Sequence, residues 1–148
     1  MAAKTFEDFQ AAFPKLYREV RCGFSCPEGW LDIVWRLSEQ LEPLGIQCDQ
    51  VKEKFGGLRF YLLDALSPYD VQDRAQALIR EAEAEADRTC EICGKQPAKL
   101  GNWKAHYVRT LCEEHIPADV EQNVPRALTE GADFTPGFLG EGTGEKKP

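Results

Sequence analysis

Residues 46–63 read Ile46-Gln-Cys-Asp-Gln-Val-Lys-Glu-Lys-Phe-Gly-Gly-Leu-Arg-Phe-Tyr-Leu-Leu63, and this stretch decides the fold class. Apolar and polar side chains alternate on both sides of Gly56-Gly57, and a period of two is typical of β-strands. Two adjacent glycines can take the positive φ angles of a two-residue type I′ turn, so we predict a β-hairpin. This turn predicts that Val51 pairs with Leu62. The predicted strands are 46–55 and 58–63.

The two faces of this hairpin are expected to differ in chemistry. One is mostly apolar, whereas the other carries Lys52, Lys54, Arg59 and Tyr61. A basic face with an aromatic residue could bind phosphate, nucleic acid or an acidic protein surface. Alternatively, it is the solvated side of an amphipathic hairpin, paired with glutamates at positions 81–85. Both interpretations stay open.

Three helices are predicted around the hairpin, because apolar residues recur three and four positions apart. The predicted helices span residues 5–20, 27–42 and 68–87. Thr5 and Asp8 form a capping box for the first helix, Pro14 interrupts its apolar stripe, and Ser67 is the expected cap of the third. The predicted fold class is therefore α+β, with about three helices packed on a small antiparallel hairpin or sheet.

Two pairs of metal-binding residues follow the third helix. They are Cys90-Glu-Ile-Cys93 and, after eighteen further residues, Cys112-Glu-Glu-His115. Zinc takes four tetrahedral nitrogen or sulfur ligands, and a two-residue gap lets both side chains of a pair turn toward one ion. The spacing is typical of a zinc ribbon, whose intervening hairpin we expect to turn near residues 101–102. Because four protein ligands fill the coordination shell, we predict one structural zinc ion rather than a catalytic one.

Three further cysteines and a second histidine remain, namely Cys22, Cys26, Cys48 and His106. The cysteines are better interpreted as small hydrophobic side chains than as a second metal site, because Cys-x-x-x-Cys is a poor zinc knuckle. His106 is the substitute metal ligand if His115 is not one. Since the chain has only two histidines, we do not expect nucleophilic cysteine catalysis.

The composition favours a folded, acidic protein. The 148 residues are 43% hydrophobic and carry a formal net charge of −7, so nucleic acid would be bound only by a local basic patch. The sequence has no apolar run of about 18 residues and no apolar leader, so we predict a cytoplasmic protein with no membrane partner. We expect a body at 1–87, a zinc-ribbon-like module at 88–121 and a mostly irregular tail at 122–148.

Three strings carry a resemblance: Val51-Lys-Glu-Lys-Phe-Gly-Gly-Leu-Arg-Phe-Tyr61, Glu28-Gly29-Trp30, and the two metal-binding pairs. As a set they resemble a group of small, uncharacterised bacterial and phage proteins with a zinc ribbon, over about residues 10–118. The resemblance implies a phage or prophage setting in a bacterial host. It also implies an accessory protein that binds a host or phage protein, for example as an inhibitor of a host defence complex. It brings no catalytic residues with it.

We therefore predict a small zinc-binding protein that acts as a non-enzymatic protein-binding module. The alternative is a nucleic-acid-binding zinc protein that uses the basic hairpin face. A weaker alternative is a metal-dependent hydrolase, which requires a metal with an open coordination position.

Overall fold

The computed structural model describes residues 4–63, 67–103 and 107–116, and these residues form an α+β fold, as predicted. The helices are α1 (Phe6–Ala12), α2 (Leu31–Leu41) and α3 (Tyr69–Ala86), and short 3₁₀ turns at Glu28–Trp30 and Glu42–Leu44 flank α2. The strands are β1 (Gln47–Lys54), β2 (Gly57–Leu63), β3 (Ala98–Trp103) and β4 (Tyr107–Cys112). The predicted tail at 122–148 lies outside the described residues. None of the described helices has the length and apolar character to cross a membrane.

The β1–β2 hairpin forms, but its predicted register is wrong. Val51 pairs with Phe60 rather than Leu62, and the turn consists of Phe55 and Gly56. Their φ angles of 54° and 79° are the positive values that a type I′ turn requires. The error is two positions along β2, and an even shift keeps the side chains of residues 50–54 and 57–61 on their predicted faces. An irregularity between Cys48 and Gln50 places Cys48 opposite Leu62, in the core.

Residues 22–25 cover the outer edge of β1. The Ser25 N–H donates to the Val51 carbonyl at 2.8 Å, and the Val51 N–H donates to the Gly23 carbonyl at 3.0 Å. This segment therefore forms an isolated parallel bridge to β1 at Val51, which hinders pairing of that edge with another chain.

The main core lies between the helices and the apolar face of the hairpin. Its largest fully buried side chains include Trp30, Tyr17, Phe9, Leu16 and Leu41.

Both hydrogen bonds of the predicted capping box between Thr5 and Asp8 are present, at 2.8 and 3.2 Å. Helix α1 is shorter than predicted and ends before Phe13, which has φ −130° and ψ 70°. The residue before a proline is disfavoured in helical conformation, so Pro14 ends the helix there.

Helix α3 starts without the predicted side-chain cap. Pro68 is the N-cap residue, and Ser67 contributes its carbonyl, which accepts a hydrogen bond from the Gln72 amide at 2.6 Å. The first turn is therefore stabilised by a side chain from inside the helix rather than by the serine hydroxyl.

The acidic C-terminal end of α3 forms hydrogen bonds with α2 and β2. Glu85 forms two hydrogen bonds with the Arg36 guanidinium of α2, at 2.7 and 3.2 Å. A Glu83 carboxylate oxygen accepts from the Phe60 N–H of β2 at 3.3 Å. These two glutamates are therefore part of the packing between elements and not only a solvated face.

Strands β3 and β4 form the second hairpin, which belongs to the metal module, as we call residues 88–116. Gly101 and Asn102 lie inside β3, paired with Arg109 and Val108, so the turn predicted near residues 101–102 is wrong. The strands are joined at residues 104–106, outside the described residues. The predicted boundary of the module after residue 87 stays a prediction.

Candidate metal centre

The four predicted metal ligands lie together. The ligand atoms of Cys90, Cys93, Cys112 and His115 are all within 4.8 Å of one another. The Sγ atoms of Cys93 and Cys112 are 3.6 Å apart. The His115 Nδ1 atom lies 3.3 Å from the Sγ of Cys112 and 3.5 Å from the Sγ of Cys90. Ideal Zn–S and Zn–N bonds give a tetrahedron with edges of roughly 3.8 Å between sulfurs and roughly 3.6 Å between sulfur and nitrogen. The measured separations approach these edges, so the cluster could hold one metal ion.

Both ligand pairs are positioned by local turns of the backbone. The Cys90 carbonyl accepts from the Gly94 N–H at 2.9 Å, and the Cys112 carbonyl accepts from the His115 N–H at 2.9 Å. Gly94 has a φ angle of 81°, which residues with a side chain rarely adopt. Because these turns depend on a few adjacent residues, the spacing of the ligands in sequence was sufficient to predict the cluster.

The environment of Cys90 favours the form that binds metals. Burial opposes ionisation of its thiol, but backbone N–H groups of Cys112, Cys93 and Ile92 donate to the sulfur, and its pKa is lowered to about 6. The thiolate is the metal-binding form of cysteine. Thiolates gathered this closely repel one another, so a bound cation would stabilise the cluster.

Glu91 joins the two halves of the cluster, although it lies between two ligands and binds no metal itself. Its side chain is only 4% exposed. The Glu91 N–H donates to the Thr110 carbonyl at 3.0 Å, and its carboxylate accepts from the Thr110 N–H at 3.1 Å and from the Arg109 Nε–H at 3.2 Å. These bonds attach the first ligand pair to β4, which leads into the second pair.

The role of Glu91 was not predicted from the sequence. Glu113 and Glu114 occupy similar places between two ligands, yet both are exposed. No local signal distinguishes these glutamates, because the burial of Glu91 results from packing against β4.

The cluster packs directly against the helical part of the chain. The Gly29 N–H donates to the Glu91 carbonyl at 2.9 Å. A Cβ atom on Gly29 would overlap the Cys90 carbonyl oxygen and would lie 2.8 Å from the Gly94 nitrogen. The indole of the adjacent Trp30, which is fully buried, donates to the Thr89 carbonyl at 2.8 Å. Gly29 and Trp30, from the string Glu28-Gly29-Trp30, therefore form one of the contacts between the body and the metal module.

The remaining cysteines do not assemble into a second centre. Within the described ranges, the cluster at residues 90–115 is the one group of three or more histidine, cysteine or acidic side chains with metal-binding geometry. Burial raises the pKa of Cys26 and of Cys48 to about 12, so both stay neutral thiols. Cys22 is exposed, with its Sγ 3.6 Å from an Asp49 carboxylate oxygen. His106 lies outside the described residues.

The predicted binding face of the β1–β2 hairpin consists of Lys52, Lys54, Arg59 and Tyr61. Lys52 lies directly opposite Arg59, and Tyr61 is 42% exposed. Among the described residues, none of these three cations has a carboxylate within the 4.0 Å of an ion pair. Burial raises the pKa of Glu83, and the nearby charge of Arg59 partly offsets that rise. The face therefore keeps most of its positive charge available to a ligand.

No protein-family model, curated protein or solved structure matches this chain. Its function must therefore be inferred from the chemistry of its own residues.

Proposed function

We propose that this protein binds one Zn²⁺ ion through Cys90, Cys93, Cys112 and His115, and that the ion has a structural role. The observation that carries this proposal is that three sulfurs and one nitrogen lie within 4.8 Å of one another. Thiolate and imidazole ligands in this geometry suit zinc. Four protein ligands leave no coordination position for water or a substrate, which argues against the metal-dependent hydrolase.

A structural role also fits the small size of the core around the ligands. Among the described residues this core consists of Cys90, Leu111 and Cys112, with Ala98 and Ile116 packed against it. So few apolar side chains cannot offset the conformational entropy lost when the module folds. A zinc ion would supply the missing free energy, because its binding is coupled to folding.

We further propose that the protein is a non-enzymatic binding module whose basic hairpin face contacts a protein partner with an acidic surface. Like charges directly opposite each other in a hairpin reduce stability, and Lys52 and Arg59 are such a pair. A carboxylate on the partner would relieve this repulsion. The setting implied by the sequence resemblance is part of this proposal, namely a phage or prophage accessory protein that inhibits a host defence complex in the bacterial cytoplasm.

The alternative is that the same face binds nucleic acid. It is favoured by the exposed ring of Tyr61 beside the cations, because aromatic rings in basic surroundings can stack on bases. It is opposed by the formal net charge of −7, which repels a polyanion at long range. We therefore prefer a protein partner.

The zinc proposal is tested by measuring metal content by mass spectrometry of the purified protein. We expect one zinc per chain in the wild type and in Cys22→Ser, and a large loss in Cys112→Ser. A wild type without zinc after expression in zinc-containing medium would refute the metal proposal.

The binding proposal is tested by affinity capture from bacterial lysate at physiological salt, followed by measurement of the affinity for the captured protein. We expect Arg59→Glu to weaken the binding and Arg18→Glu, an exposed control, to leave it unchanged. Equal affinity for both variants would rule out the hairpin face. Titration of labelled single- and double-stranded DNA and RNA tests the alternative, which requires binding that weakens steeply with salt.

A further inference from the structure

The tip of the β1–β2 hairpin combines two unfavourable features in one residue. Phe55 is 67% exposed, although its side chain is large and apolar. It also has a φ angle of 54°, and among the described residues it is the one non-glycine residue with a positive φ. Both features reduce the stability of the folded chain, and strained residues of this kind cluster at functional sites.

The metal module holds this tip in place. The Gly56 carbonyl accepts from the Thr110 hydroxyl at 2.7 Å, and the Gly56 N–H donates to a Glu53 carboxylate oxygen at 2.7 Å. A Cβ atom on Gly56 would overlap a methyl carbon of Leu100 and lie 3.3 Å from the backbone of Arg109. A side chain at position 56 would have to displace Leu100 and adopt a φ angle of 79°, so glycine is favoured there, and Phe55 occupies the other central position of the turn.

We propose that Phe55 is the anchor of the protein-binding surface, and that its ring enters an apolar pocket of the partner. This inference rests on the proposed binding function, and it names the residue on which the affinity for the partner protein depends most. Lys54 lies beside the ring, with its Nζ atom 5.5 Å from the ring centroid. Lys54 and Lys52 are then placed to contact carboxylates at the rim of the pocket.

The geometry of the tip fits the energetics of protein recognition. A few aromatic residues in desolvated pockets carry most of the binding free energy of protein interfaces. A ring on a turn that is already fixed by Thr110 loses little conformational entropy on binding. Phe55 also lies beyond the last paired residues, Lys54 and Gly57, so it stands at the end of the hairpin and not on the paired face where bases would stack.

Photo-crosslinking of the full-length, zinc-loaded protein tests the inference. A benzophenone amino acid replaces Phe55 in one sample and Tyr69 in the control, because Tyr69 is 84% exposed at the start of α3 and away from the tip. We expect one protein in bacterial lysate to be crosslinked from position 55 and not from position 69. The crosslinked peptide should contain apolar residues flanked by aspartate or glutamate.

The affinity of two variants for the crosslinked protein provides the decisive measurement. Phe55→Asn creates an Asn-Gly turn, which favours the type I′ conformation, so the variant should fold at least as stably as the wild type. We expect it to bind the partner at least tenfold more weakly, whereas Tyr69→Ala binds with unchanged affinity. An increase in thermal stability together with a loss of affinity would not arise from a purely structural role.

Three outcomes would overturn the inference. If Phe55→Asn binds as tightly as the wild type while Arg59→Glu does not, the basic face binds the partner and Phe55 is not its anchor. A nuclease-sensitive crosslink from position 55 would replace the protein partner with nucleic acid. If the wild type captures and crosslinks no protein, the proposed binding function and this inference fail together.

Discussion

Replacement of Gly29 by alanine tests how the metal module is attached to the rest of the protein. The added Cβ would overlap the Cys90 carbonyl oxygen, and it would lie 2.7 Å from the Glu91 carbonyl carbon and 2.8 Å from the Gly94 nitrogen. All three are backbone atoms of the turn that positions the first two ligands. They cannot move aside like a flexible side chain, so the module must shift away from Trp30.

The magnitude follows from the contacts that this shift breaks. Overpacking of a rigid site costs about 1–3 kcal/mol. The shift also weakens the hydrogen bond from Gly29 to Glu91 and the one from Trp30 to Thr89, each with a net value of about 1 kcal/mol. We therefore expect Gly29→Ala to lower the free energy of unfolding by about 3–5 kcal/mol. For a chain of this size, that corresponds to a decrease of roughly 10–20 °C in melting temperature.

Urea unfolding and thermal melting of the zinc-loaded protein measure this effect. Gly57→Ala is the matched control, because its Cβ would meet only the Lys54 carbonyl oxygen at an ordinary distance of 3.6 Å. We expect the control to lie within about 1 kcal/mol of the wild type. Gly29→Ala should still bind one zinc, because all four proposed ligands belong to the module. A free energy of unfolding for Gly29→Ala equal to that of the control would refute the proposed contact.

Three further predictions concern the metal, the hairpin tip and a half-buried carboxylate. Chelation of zinc, or Cys112→Ser, should expose the amides of residues 88–116 to hydrogen exchange, whereas the helices of the body should keep most of their circular dichroism signal. A metal-free protein with an unchanged melting temperature would contradict this prediction. Thr110→Val removes the hydroxyl that donates to the buried Gly56 carbonyl. In urea titrations this variant should lower the free energy of unfolding by about 1–3 kcal/mol. The control Thr110→Ser keeps the hydroxyl and should lower it less. Burial raises the pKa of Glu83 from 4.5 to about 6, so its contribution to stability is fully present below pH 4.5 and is lost as pH rises through 6. Relative to Glu83→Gln, the wild type should therefore lose about 1–2 kcal/mol of unfolding free energy between pH 5 and pH 7, and parallel pH profiles would exclude this contribution.

The elements that follow local rules were predictable. The ligand spacing of residues 90–115 predicted a cluster that the structure brings together, because each pair is formed by one short turn. Period-two alternation predicted the two faces of the β1–β2 hairpin. The capping box at Thr5 and Asp8 depends on residues three positions apart, and it is also present.

The errors occur where distant parts of the chain select the local conformation. The sequence favoured Gly56-Gly57 as the turn, because both glycines can take positive φ, but the turn consists of Phe55 and Gly56. In the observed turn, Leu100 and Thr110, which are more than forty residues away, lie against Gly56. The burial of Glu91 and the close contact of Gly29 with the first ligand pair also result from packing between segments far apart in sequence.

The amino-acid sequence by itself determined the α+β class, the four candidate ligands, and which side chains share the basic face of the hairpin. These features depend on spacings of a few residues, which fix the direction of a side chain without reference to the rest of the chain. Only the tertiary structure decided the hairpin register, the exposure of Phe55 at its tip, and the attachment of the module through Gly29. Each of those depends on contacts between segments far apart in sequence, and no local pattern records where two such segments will meet.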